Sequence, residues 1–129
     1  VPATLRHRVR GVPIELDKLP IATFQDAVSN ISMWLKRLDK QQVEQQRLME
    51  FMDGPALQAT TQAIIMLRGL REHADIVDNS LKLIRPFMDE QNKSLDPTIS
   101  QALKDLQPYF DGTKFVFDFD PPFYLLSQN

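Results

Sequence analysis

Residues 60–88 read TTQAIIMLRGLREHADIVDNSLKLIRPFM, and the fold turns on this run. Thr60, Ala63, Leu67, Leu70, Ala74, Val77, Leu81, Ile84 and Met88 recur at steps of three and four. A helix of 3.6 residues per turn lines these side chains along one face, whereas a half-buried strand would alternate every second residue. Leu57, Ile64, Ile65, Ile76, Leu83 and Phe87 flank the stripe. The apolar face is therefore broader than a two-stranded coiled coil needs and suits a helix buried among several others. Pro55 can occupy the first helical position, with Asp53 or Gly54 as the cap. Inside the run, Gly69 weakens the helix by about 1 kcal/mol relative to alanine. Pro86 has no N–H for the Lys82 carbonyl, which predicts a bend there.

Upstream, a first helix is expected from Ile21 to Met52, begun by Pro20 and stopped by Asp53-Gly54-Pro55. Phe24, Val28, Ile31, Leu35, Leu38, Met49 and Met52 keep the helical step, and Gln42 and Gln45 occupy the same stripe at its centre. Ala27 and Trp34 widen its first half. The stretch Lys40–Gln46 (KQQVEQQ) is made of strong helix formers and reads as a continuous helix. Downstream, Asp96 as cap and Pro97 at the first position open a third helix carrying Ile99, Ala102, Leu103 and Leu106, which Pro108 and Asp111-Gly112 close. Links of about three to five residues fold sequential helices back on one another.

The ends read differently. Prolines gather there (Pro2, Pro13, Pro20; Pro97, Pro108, Pro121, Pro122), and Lys114–Asp120 (KFVFDFD) has a period of two. That period means extended backbone, with Phe115, Phe117 and Phe119 on one side and Val116, Asp118 and Asp120 on the other. The expected architecture is all-α: an antiparallel up-down bundle of three to four helices over 21–112, with an extended N-terminal arm (1–20) and an extended aromatic C-terminal tail (113–129). The arm's aliphatic and basic residues and the tail's aromatic and acidic ones suit a short two-stranded ribbon.

Composition narrows the function. A length of 129 residues, 43% of them apolar and 25% charged, suits one globular domain. With no cysteine and only two histidines, disulfide frameworks, thiolate metal sites and cysteine nucleophiles are excluded, and most zinc and haem arrangements are out of reach. Lysine and arginine number 15 against 17 aspartates and glutamates, so no strong field draws in a polyanion. The chain has neither an apolar run of membrane-spanning length nor a signal-peptide plan at Val1-Pro2-Ala3-Thr4. It reads as a segment of a longer intracellular protein.

Catalytic constellations are missing: the phosphate-cradling, nucleophile-elbow, HExxH and EF-hand patterns do not occur. His73, with Glu72, Asp75 and Asp78 nearby, reads as a solvated face with local ion pairs, because a transition-metal site needs further histidine or cysteine ligands. No cofactor is expected. The composition points instead to a non-catalytic protein–protein interaction module, part of a scaffold or multisubunit complex, meeting another protein or a second copy of itself. Its expected contact residues are Trp34, Phe51, Phe115, Phe117, Phe119, Phe123 and Tyr124, aromatic side chains of the kind that anchor interfaces. The tail has a second reading, as a cover for its own bundle. A reading from another class is nucleic-acid association through Arg6, Arg8 and Arg10, the one compact basic cluster. An enzymatic site assembled from Glu72, His73 and Asp75 would require a deep pocket around them.

Overall fold

The computed structural model describes residues 11–88 and 97–121. Of these residues 78% are helical, and no strand is present among them. The class is all-α. Three α-helices follow in order, α1 (Ile21–Met49), α2 (Gly54–Met88) and α3 (Pro97–Leu106), with single 3-10 turns at Leu16–Lys18 and Gln107–Tyr109. The described residues form two compact units, one of 11–31, 76–88 and 97–118, the other of 32–75 and 119–121.

Helix α1 is continuous through KQQVEQQ, where good helix formers carry it across a stretch with one apolar side chain. Pro20, just before it, lends its carbonyl to the Phe24 amide at 3.2 Å. The helix ends at Met49, short of the expected Met52. There the chain tightens: the amides of Glu50, Phe51 and Met52 bond carbonyls three residues back, at 3.0–3.3 Å. Such shorter bonds satisfy carbonyls that a helix end leaves open. Gly54 then takes a φ of +54°, a left-handed value that glycine adopts without Cβ strain. The Asp53 carbonyl accepts the Leu57 amide at 3.3 Å, so Asp53 is the cap and Gly54, rather than the expected Pro55, the first residue of α2.

In α2 every residue of the long stripe is buried except Leu70, which is half-buried. Helix geometry continues through Pro86 to Met88. The flanks fare differently. Ile64 is buried, Leu57 and Phe87 are half-buried, and Ile65, Ile76 and Leu83 are exposed, so the covered face is narrower than the sequence implies. The link 89–96, with the expected Asp96 cap, lies outside the described residues.

The interior of the first unit is mostly hydrocarbon, with Phe24, Ala27 and Ile31 from α1, Val77, Leu81, Ile84 and Met88 from α2, and Ile99, Ala102 and Leu106 from α3, and it also buries the hydroxyl side chain of Ser80. Leu16, which opens the turn before α1, and Leu19, which follows it, are buried in the same unit. The second unit also has polar side chains in its interior. Leu38, Ala63, Ile64, Leu67 and Ala74 are buried alongside Gln45 and Thr60. The Thr60 hydroxyl donates to the Met52 sulfur at 3.0 Å. Buried polar groups persist where partners are supplied, and these sit toward the end of the unit that holds the α1–α2 turn.

Candidate interaction surface

Asp111 builds the turn that aims the tail. Its Oδ1 accepts the amides of Thr113 and Lys114, both at 2.8 Å, and the Thr113 hydroxyl at 2.9 Å. Gly112, at φ +102°, supplies the left-handed residue. Reversal is completed by the Asp111 amide on the Lys114 carbonyl (3.0 Å) and the Val116 amide on the Tyr109 carbonyl (2.8 Å). Phe110 and Phe115 thereby form an isolated antiparallel bridge, their ring centroids 5.0 Å apart. Phe117 lies 6.0 Å from the Phe115 ring and 5.6 Å from Tyr109. Aromatic contacts at these separations add to the burial of the rings. Burial also pushes the Tyr109 hydroxyl above its ordinary pKa.

Within the described residues the tail returns on the segment just before it, whereas the basic arm residues 6–10 of the expected arm–tail ribbon lie outside them. Among the described residues the arm meets that same segment: the Val12 amide donates to the Phe110 carbonyl at 3.0 Å, and the Gln107 side-chain amide donates to the Gly11 carbonyl at 2.9 Å. An Asp-Gly turn closes this short loop at small entropic cost.

The amides of Lys114 and then Thr113 hold the Asp111 carboxyl below the ordinary aspartate pKa of 3.8. A carboxylate stabilised in the folded chain contributes above its unfolded pKa, and the contribution is lost as pH falls through the lower folded value. An NMR titration is expected to place the Asp111 midpoint below 3.8, and Asp111→Ala should remove the corresponding acid-sensitive part of the stability. A midpoint at or above the ordinary value would refute the turn's role.

In the second unit the tail lies against α1. Trp34 meets the Phe119 ring edge-on, with centroids 5.9 Å apart and planes at 80°. The Arg37 guanidinium stands 5.3 Å over the Trp34 ring and bonds the Asp120 carboxylate at 2.8 Å. Arg37 thus serves as a cation above an aromatic face and as the partner of a carboxylate. Nearer the middle of α2, Arg71 pairs with Asp39 at 2.8 Å and with Asp75 one helical turn along. The hydrogen bond to Asp39 is the main cause that raises the Arg71 pKa.

The residues expected to face a partner separate into distinct environments. Phe115, Phe117 and Phe119 are buried in their own chain, while Val116 is half-buried and Asp118 and Asp120 are exposed, so burial alternates along the tail. Trp34 is half-buried. Phe51 is 85% exposed in the turn between α1 and α2. Phe123, Tyr124, Arg6, Arg8 and Arg10 lie outside the described residues. Sequence reasoning passed over Arg37, although its place three residues after Trp34 puts both on one helical face and gives the tail's acidic residues a partner.

Glu72 and His73 are exposed, and Asp75 is engaged by Arg71. Among the described residues no group of three metal-binding side chains comes together. No helix among them is long and apolar enough to cross a membrane. In the first unit an open hollow of about 200 Å³ is lined by Ile21, Phe24, Val28 and Arg85, and a groove of about 450 Å³ runs between Val12, Leu19, Pro20 and Phe110. Comparison of the chain with protein-family models, curated proteins and solved structures finds no match.

Proposed function

We propose that the chain is a protein–protein interaction module that works by contact rather than turnover, within a larger intracellular scaffold or multisubunit complex, its helices laid out as an antiparallel up-down bundle. The observation that carries this reading is Phe51, a large aromatic side chain 85% exposed at the α1–α2 turn. The second unit exposes Met33, Val43, Ile65 and Met66 as well. Single exposed hydrophobes are common on folded proteins, but an aromatic ring held out on a tight turn has the form of an interface anchor. The turn region also bears Arg47, Glu50 and Asp53, charges of both signs that suit the polar rim of a protein interface better than a polyanion.

The test separates docking from folding. Phe51→Ala removes almost no buried area, so stability should change by less than about 0.5 kcal/mol. In affinity capture the intact chain and this variant should differ in retained partners, with matched thermal unfolding. Identical capture by the two would refute Phe51 as the anchor.

A further inference from the structure

Two Asp-Gly pairs occur in the chain, Asp53-Gly54 and Asp111-Gly112, both exposed and both with the glycine at positive φ. Glycine has no side chain to shield its amide, so a carboxyl just before it can close readily on the backbone nitrogen. The fold treats the two carboxyls differently. The amides of Thr113 and Lys114 and the Thr113 hydroxyl hold Asp111 Oδ1 at 2.8–2.9 Å, and that grip must be released before the carboxyl can rotate onto the Gly112 nitrogen. The same bonds favour the ionised form, whereas only a protonated carboxyl can lose its oxygen as water. Asp53 is exposed, and among the described residues no donor engages its carboxylate. Gly54 opens α2, where the first amides have no acceptor within the helix. Room differs too. The Val12 side chain stands 3.8 Å from the point a Cβ would occupy at Gly112, whereas among the described residues nothing lies within 4 Å of that point at Gly54.

We propose that Asp53-Gly54 is a site of spontaneous backbone modification, at which Asp53 converts to isoaspartate through a succinimide, and that the Asp111 turn protects the second pair from the same reaction. The Gly54 nitrogen attacks Asp53 Cγ. An N–Cγ bond forms, the Cγ–OH bond breaks, and the hydroxyl leaves as water with the amide proton. A water molecule then opens the cyclic imide. Attack at Cγ restores aspartate, and attack at the former backbone carbonyl leaves that carbon as a free carboxylate while the chain runs on through Cβ and Cγ. One water leaves and one returns, with no oxidant or reductant. What opposes the reaction is the Leu57 amide on the Asp53 carbonyl, which must let go for the peptide to turn toward the side chain. That is one hydrogen bond of 3.3 Å at an exposed helix end, where local opening is frequent. The product carries an extra carbon in the backbone and displaces the capping carbonyl, two residues after Phe51. The inference needs no partner and stands apart from the interaction reading.

The test incubates the full chain at neutral pH and physiological temperature and follows isoaspartate by peptide mapping with electron-transfer fragmentation, which separates it from aspartate of equal mass. Cleavage after lysine and arginine places the two pairs in different peptides, 48–68 and 105–114, each compared with a sample digested before incubation. In the folded chain isoaspartate at position 53 should accumulate at least about fivefold faster than at position 111. In concentrated urea the grip on Asp111 is gone, and the two rates should agree within about twofold. Asp53→Glu keeps the charge but lengthens the side chain, which disfavours the cyclic imide, and peptide 48–68 should then yield no isomerised product.

Position 53 is exposed, and circular dichroism checks that the variant is folded. A folded chain that isomerises at position 111 as fast as at position 53, or at neither, overturns the proposal. So does a contrast between the two positions that persists undiminished in urea, because neighbouring residues rather than the fold would then set the rates. Isomerised product in peptide 48–68 of the Asp53→Glu variant overturns the assignment to Asp53.

Discussion

Leu67→Ala and Leu81→Ala are each expected to lower the free energy of unfolding by about 2–5 kcal/mol, measured by denaturant titration. Both side chains are essentially without solvent contact, Leu67 in the second unit and Leu81 in the first. Truncation removes the transfer free energy of the lost methyl groups and leaves a void that neighbours fill only in part. The contrast is Ile65→Ala, two residues before Leu67. Ile65 is 57% exposed, so the same loss of hydrocarbon should cost under about 0.5 kcal/mol. Equal effects at positions 65 and 67 would show that helical phase does not govern packing here, and the assignment of the buried face would fall with it.

The second large effect concerns the tail. Ending the chain at Gly112 is expected to abolish cooperative thermal unfolding, because it removes three buried phenylalanines at once, Phe115, Phe117 and Phe119. Phe117→Ala alone should cost about 3–5 kcal/mol, since its ring is buried against Phe115 and Tyr109. Calorimetry on the shortened chain decides between the two uses of the tail read from the sequence. Melting unchanged by the truncation would return these rings to the role of a docking strip, whereas lost cooperativity assigns them to the interior.

The period of the hydrophobic pattern made the long stripe of α2 legible, because burial follows helical phase along nearly its whole length. Its flanks were less legible: phase tells which direction a side chain points, but not how far a neighbouring helix extends over it. Ile76 and Leu83 look like core on composition and remain exposed. The end of α1 was misplaced since Glu50, Phe51 and Met52 carry no breaker, and the tightening originates in the chain reversal at Asp53 and Gly54. In the tail, alternation correctly separated Phe115, Phe117 and Phe119 from Val116, Asp118 and Asp120. It carried no information on what would cover the aromatic side. That depended on the Asp111-Gly112 turn, a local signal present in the sequence but read only as a helix stop.

The chain contains a single tryptophan, and it stands where Phe119 and Arg37 converge. Its indole emission is therefore a native optical reporter of one place in the molecule. A seated tail keeps the fluorophore partly shielded from water, and an undocked tail would shift its spectrum to the red, so occupancy can be followed without attaching a dye.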